Sequence, residues 1–140
     1  MTSQRIKDQL ERTASAGDFA VHAKELATSW SSGGAGLEFV EPILQFMESH
    51  PAIDFAGTHG PLIRFMERFQ GLGYEEKLVE SILRKPTVAT VAVFDSVIHA
   101  TQSPETKRGM LATLKRARLN PHADQATLQE IGRCLKELSR

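Results

Sequence analysis

The residues best placed to do chemistry are Asp95 and His99, a carboxylate and an imidazole four positions apart. On a helix both side chains would project from one face, where the carboxylate could orient the imidazole as a general base. A hydrolase would also need a nucleophile. Ser96 adjoins Asp95 and therefore points elsewhere, and Cys134 has no recognisable activating neighbour. We therefore prefer the simpler interpretation, a helix face with His99 near the negative end of the helix dipole.

The remaining histidines and the single cysteine show no spacing that is typical of a metal or catalytic site. The five histidines form no H-E-x-x-H motif, and no two of them share a face at a spacing of four. Because Cys134 is alone, an internal disulfide and a cysteine zinc site are both excluded. The turn His59-Gly60-Pro61 lacks the lysine or arginine of a Walker phosphate loop. We expect no catalytic, cofactor-binding or metal-binding residue, and no enzyme.

Residues 86–101 form the segment around which the rest of the chain must be organised. Between Thr87 and Ala100 the only polar side chains are threonine and serine hydroxyls, Asp95 and His99. A helix that is nearly apolar on every side is predicted to lie inside the molecule. The length of the segment favours helix over strand, and Pro86 suits the first helical turn.

The hydrophobic periodicity of the whole chain predicts about eight short helices. They lie near residues 3–15, 18–31, 36–49, 58–69, 74–84, 86–101, 104–119 and 123–138. The predicted fold is all-α, with the helices in antiparallel pairs that form a HEAT-like α-solenoid or a compact orthogonal bundle. Residues 1–140 are expected to form one domain, with a possible mobile break at 31–35, where Ser31-Ser32-Gly33-Gly34 interrupts the helical pattern.

Charge is balanced over the chain but not along it. Lysine plus arginine and aspartate plus glutamate number 17 each, which favours neither a nucleic-acid partner nor an anionic membrane. Residues 35–81 have a net charge of −5, and residues 82–140 a net charge of +5. The acidic segment could attract a basic protein, and its candidate partner-binding carboxylates are Glu38, Glu41, Glu75, Glu76 and Glu80.

Nucleic acid and membrane are not expected as partners. The basic predicted helix at 104–119 lacks the interleaved exposed aromatic residues on which bases stack. No apolar run approaches the roughly 20 residues that cross a bilayer. The polar start, Met1 to Glu11, lacks the apolar core of a signal peptide, so we expect a cytoplasmic protein.

Three segments resemble a known family. They are 46–57 (FMESHPAIDFAG), 59–67 (HGPLIRFME) and 73–87 (GYEEKLVESILRKPT). Their turns and helix starts are similar to those of small, HEAT-like, all-helical immunity proteins of bacterial polymorphic and contact-dependent growth inhibition toxin systems. The resemblance covers about residues 46–101. Where that family often has a tryptophan and an asparagine–arginine step, this chain has Val93-Phe94-Asp95-Ser96.

The resemblance implies an immunity protein without enzymatic activity. Such a protein would bind the C-terminal domain of its cognate toxin, a nuclease in our interpretation, and block its active site or substrate surface. We expect the contact to involve the acidic segment together with the face that carries Asp95 and His99. The alternative is a helical scaffold or regulatory adaptor that binds another protein or a peptide. Oligomeric state is not predicted.

Overall fold

The described part of the chain is mainly helical, as the hydrophobic periodicity predicts. A computed structural model describes residues 2–56 and 60–138. Those residues form eight α-helices, one short 3₁₀ helix at Leu37–Phe39 and no strand, which confirms the all-α prediction. The α-helices are α1 (Ser3–Ser15), α2 (Phe19–Ser32), α3 (Val40–Ser49), α4 (Pro61–Glu67), α5 (Tyr74–Arg84), α6 (Val88–Ala100), α7 (Pro104–Ala117) and α8 (Gln125–Leu138).

At the starts of α1, α6, α7 and α8, a side chain accepts a backbone hydrogen bond, whereas the starts of α2, α3, α4 and α5 have no such cap. Thr2 caps α1 by accepting from the Arg5 N–H at 3.2 Å. Ser103 caps α7 in the same way, with Pro104 at the first helical position. The prediction that Pro86 occupies the first turn of α6 is wrong. Thr87 is the N-cap, and its side chain and that of Thr90 form a reciprocal capping box, so Pro86 lies before the helix.

Three further expectations need correction or fall outside the described residues. The predicted helix at 36–49 begins as a 3₁₀ turn, and its α-helical part starts at Val40, which leaves Pro42 in the first turn, where proline is tolerated. The helix predicted at 104–119 ends at Ala117, so Leu119 lies beyond it and is 84% exposed. Thr58, at the start of the helix predicted at 58–69, lies outside the described residues.

The helices pack as two layers of stacked pairs. Odd-numbered helices form one layer, in which α1 packs on α3, α3 on α5 and α5 on α7. Even-numbered helices form the other, in which α2 packs on α4 and α6 on α8. Extensive packing between α4 and α6 is lacking, so the even layer is interrupted at its middle while the odd layer is continuous. The packed helix pairs are consistent with a compact all-α bundle, one of the two forms of the predicted fold.

One contiguous apolar core joins the two layers. Phe94 and Tyr74 are its largest fully buried side chains. At the α2 end, Trp30 packs edge-on against Phe39 and Phe65, with ring centroids 5.1 and 5.5 Å away. Its indole N–H donates to Gln9 of α1 at 2.9 Å, so Trp30 both fills the core and ties the first helix pair together.

The turn predicted as a possible mobile break closes α2 with a regular C-terminal motif. Gly34 has a φ of +74°, and the Ala35 N–H donates to the Trp30 carbonyl at 3.0 Å while the Gly34 N–H donates to Ser31. This is the pair of bonds of a Schellman motif, which requires a left-handed residue and hence favours glycine. Mobility at 31–35 stays a prediction. No helix in the described ranges combines the length and apolarity needed to cross a membrane.

Candidate functional site

Helix α6 is open to solvent along one stripe, although its composition predicts burial on every side. It packs on α3, α5, α7 and α8, and these neighbours cover Val91, Phe94 and Ile98. One remaining side of α6 is less covered by the described residues. The residues of the resulting open stripe are Val88, Ala92, Ser96 and His99, of which Val88 is 40% exposed and Ala92 half-buried.

Asp95 lies at the edge of the open stripe and His99 within it, on one helix face as predicted. Their geometry does not orient the imidazole through the carboxylate. The His99 Nδ1 lies 2.9 Å from the Asp95 backbone carbonyl and donates to it, whereas the Asp95 Oδ1 is 3.5 Å away. The Asp95 Oδ1 is buried without a hydrogen-bond partner. The pair therefore resembles an ordinary feature of a helix end more closely than a catalytic dyad.

On one side the open stripe is bordered by charged residues of α8. Arg133 lies 3.9 Å from the Asp95 Oδ2, forms a close ion pair with Glu130, and contacts Glu137 at 2.9 Å. The hydrogen bond from Arg133 lowers the pKa of Glu130, so this carboxylate stays charged. Three carboxylates thus surround one guanidinium beside α6.

Cys134 lies under these charges and is not activated. The thiol is fully buried, and burial together with the carboxylates of Asp95 and Glu130 raises its pKa to about 12. A nucleophilic cysteine needs the opposite environment, an electropositive one that lowers the thiol pKa. In the described ranges, no group of three or more His, Cys, Asp or Glu side chains could hold a metal ion.

On its other side the open stripe adjoins a small depression, the α4–α6 notch. Glu67 and Gln70 line it from the α4 side, Ser96 and Ala100 line it from α6, and its volume is about 90 Å³. Tyr74 also lines the notch. Its hydroxyl is buried and has no hydrogen-bond partner, and burial and the nearby Glu67 and Glu75 raise its pKa. A buried polar group without a partner is uncommon and needs an explanation.

The structure separates the seven predicted partner-binding residues into two groups. Asp95 and His99 belong to α6 in the even layer. The five predicted carboxylates lie on elements of the odd layer: Glu38 in the 3₁₀ helix, Glu41 in α3, and Glu75, Glu76 and Glu80 in α5. No hydrogen bond or ion pair among the described residues joins the two groups.

Several of the odd-layer carboxylates already have partners within the chain. Glu41 lies 2.9 Å from Arg84, and Lys77 pairs with both Glu41 and Glu80. Glu75 accepts the Gly71 backbone N–H at 3.0 Å. Glu38 and Glu76 are exposed. Intramolecular ion pairs therefore compensate part of the charge of Glu41 and Glu80, as Arg133 does for the carboxylates beside α6.

Glu48 is the most buried carboxylate and belongs to the same network. It is 6% exposed and accepts hydrogen bonds from the Arg84 Nε at 2.8 Å, the Arg84 Nη2 at 2.6 Å and the Ser81 hydroxyl at 2.7 Å. Its charge is therefore compensated inside the α3–α5 interface, and the hydrogen bonds to Glu48 raise the pKa of Arg84. Glu48 is structural.

Sequence reasoning missed the open stripe and the α4–α6 notch. Nothing in the local pattern of Val88 or Ala92 distinguishes an open helix face from a covered one, because both are apolar. Glu67 and Tyr74 are separated from Ser96 by more than 20 residues, so only the fold shows that they share a depression. Comparison with family models, with curated proteins and with solved structures gave no significant match.

Proposed function

We propose that this protein is a non-enzymatic binding module whose partner, another protein, covers the open stripe of α6. One observation carries the proposal: the most apolar helix of the chain is left uncovered along Val88, Ala92 and Ser96. A helix that is apolar on all sides is normally enclosed. A stripe of small and apolar side chains, bordered by charged residues, is typical of a surface that another protein covers.

The charges around the open stripe favour a basic partner. The bordering residues are Glu67 of α4, Asp95 of α6, and Glu130, Arg133 and Glu137 of α8, so four carboxylates are opposed by one guanidinium. Complementary charge at the rim of an interface raises the association rate and selects the partner, while the apolar centre supplies much of the affinity. The α4–α6 notch adds space for one protruding partner side chain.

The resemblance of residues 46–101 to immunity proteins gives the partner a class. We propose that it is a bacterial toxin domain, inhibited in the cytoplasm by occlusion of its active site or substrate surface. A nuclease suits the charges, because an enzyme that binds a polyanionic substrate presents basic residues around its active site. Asp95, Glu130 and Glu137 would occupy part of the surface that the phosphate backbone otherwise contacts.

A scaffold or adaptor remains the second candidate. It is favoured by the interrupted even layer, which leaves a depression between α4 and α6 where a peptide side chain could insert. Under this alternative the same open stripe binds a partner that is not toxic, and no growth phenotype depends on it.

Coexpression with the toxin domain encoded beside the gene tests the proposal. We expect the wild-type chain to restore growth and to form a stable complex with the toxin domain. Ser96→Arg places a long cation in the middle of the open stripe, so it should abolish both protection and complex formation. Loss of protection with unchanged far-ultraviolet circular dichroism would assign the effect to the interface.

Glu76→Lys is the matched control. It also places a cation on an exposed helix position, but in the odd layer, and it should leave protection intact. If Glu76→Lys abolishes protection and Ser96→Arg does not, the interface lies on the acidic segment and not on α6. A gene neighbourhood without any toxin would contradict the immunity function and leave the adaptor.

A further inference from the structure

A second surface, away from the open stripe, concentrates positive charge in a groove between α2 and α4. The groove has a volume of about 650 Å³ and is lined on its polar side by Lys24, Arg64 and Arg68 with hydroxyls of Thr28, Ser31 and Ser32. Ala27, Pro61 and Phe65 form the apolar part of its lining. No carboxylate lines it within the described part of the chain.

The three cations of this groove differ from the paired arginines elsewhere in the molecule. Arg84 and Arg133 each contact two or more carboxylates. Lys24, Arg64 and Arg68 form no ion pair among the described residues. Arg64 and Arg68 are also four positions apart, a spacing at which like charges repel on a helix. Their place near the C-terminal end of α4 suits the helix dipole, but the dipole does not explain why Lys24 of α2 lines the same groove.

Contacts within the chain hold Arg68 in position. Its Nη1 donates to the Ser31 hydroxyl at 2.6 Å, and its guanidinium carbon lies 5.8 Å from the centroid of the Phe65 ring. These contacts restrict the side chain on the groove wall and leave guanidinium donors for a ligand. A guanidinium oriented before binding loses less conformational entropy when it contacts an anion.

We propose that the α2–α4 groove binds a small ligand that carries a diphosphate or triphosphate. Three uncompensated cations match a ligand of about three or four negative charges, whereas one phosphate group carries about two. Guanidinium, ammonium and hydroxyl donors are the groups that bind phosphate oxygens. The volume lies within the range of small-molecule sites, about 300 to 1,000 Å³. The apolar residues leave room for a nucleoside.

A polynucleotide fits less well, because a nucleic-acid surface is normally an extended basic stripe. The other basic element, α7, lies in the odd layer and packs on α5 and α8, not on α2 or α4. The inference does not depend on the proposed protein partner, because the groove shares no lining residue with the open stripe or with the α4–α6 notch, although α4 contributes to both the groove and the notch.

Isothermal titration calorimetry of the full chain with inorganic pyrophosphate and with ATP tests this inference, at low ionic strength. We expect saturable binding with one site per chain. The double reversal Lys24→Glu with Arg64→Glu should weaken binding at least 10-fold, roughly the loss for one charge-assisted hydrogen bond. Neither residue has an intramolecular side-chain partner among the described residues, so the variant should keep its thermal stability.

Arg108→Glu with Lys115→Glu on α7 is the matched control, with the same change in net charge. It should bind pyrophosphate and ATP within about twofold of the wild type, a change close to thermal energy. Failure of both phosphates to bind, or equal weakening by the two double variants, would overturn the inference. Citrate binding as tight as pyrophosphate would overturn the phosphate assignment. Binding of a single-stranded oligonucleotide, but of neither phosphate, would show a polynucleotide surface.

Discussion

The α3–α5 interface and the α4–α6–α8 face differ in how their buried polar groups are hydrogen-bonded. In the α3–α5 interface, Glu48 has its carboxylate oxygens bound by Arg84 and Ser81. On the α4–α6–α8 face, the Asp95 Oδ1 and the hydroxyl of Tyr74, which lines the α4–α6 notch from α5, are buried without hydrogen-bond partners, and the open stripe of α6 is exposed. The Glu41 Oε2 of the first region also lacks a hydrogen bond, but it lies 3.8 Å from the Lys77 Nζ, so the first region leaves fewer buried polar groups without a partner than the second.

This difference teaches that the number of carboxylates in a segment does not indicate how many can contact a partner. Residues 35–81 have the strongest negative charge in the sequence, yet Glu41, Glu48 and Glu80 form ion pairs within the fold. A proposed interface is better supported by groups that the fold leaves uncovered. The following predictions test whether polar groups of the two regions contribute differently to the free energy of unfolding, beginning with the largest expected effect.

Glu48→Ala should lower the free energy of unfolding by about 2 to 3 kcal/mol. Truncating one member of a buried ion pair costs about 3 to 5 kcal/mol, and Arg84 is 40% exposed, so water can partly solvate the guanidinium left behind. Urea denaturation at neutral pH measures the change. Glu76→Ala, at an exposed position of α5, is the control and should change stability by less than about 0.5 kcal/mol. Equal effects of the two variants would refute a structural role for Glu48.

Tyr74→Phe should have the opposite sign and raise the free energy of unfolding by about 1 kcal/mol. An unpartnered buried hydroxyl carries a desolvation penalty of about 1 to 3 kcal/mol, and removing it leaves the ring packing intact. The same denaturation experiment measures this change. Destabilisation by Tyr74→Phe would mean that the hydroxyl has a hydrogen-bond partner in solution. The α4–α6 notch would then not contain an unpartnered buried hydroxyl.

Asp124→Ala should destabilise the chain by about 0.5 to 1 kcal/mol, the range expected for loss of a helix N-cap. Asp124 accepts the Thr127 backbone N–H at 2.8 Å at the start of α8. Hydrogen bonds from Thr127 lower the pKa of Asp124, so its contribution is present above the unfolded pKa, about 3.9, and is lost as pH falls through the lower folded value. The thermal unfolding midpoints of the wild type and of Asp124→Ala should therefore converge as the pH is lowered. A difference that persists at the lowest pH would contradict this role.

Side-chain caps are predictable from the sequence where they occur, because a cap contacts residues that are close to it in the chain. Thr2, Ser103 and Pro104 act within four residues of the groups they contact, so their roles can be inferred from the sequence. The start of α6 was misplaced because Pro86 gives a strong local signal, whereas the capping box of Thr87 and Thr90 uses a threonine in place of the usual acidic or amide residue.

The candidate site was less predictable because it depends on contacts between distant segments. Asp95 and His99 were correctly placed on one helix face, since their spacing alone determines that. Their hydrogen bonding was not predicted, and neither was the open stripe, because burial of α6 depends on how many helices surround it. Lys24 and Arg64 meet across a groove through the packing of α2 on α4, which no local pattern indicates.

The interruption of the even layer also has a mechanical consequence. The first four helices and the last four are joined mainly through α3, whose neighbours include α5 and α6, while little packing links α4 to α6. The odd-numbered helices therefore form the continuous connection between the two halves of the molecule. Because the two halves meet mainly along the odd-numbered helices, we expect a protein that inserts between α4 and α6 to widen that gap by a hinge motion about α3 and α5.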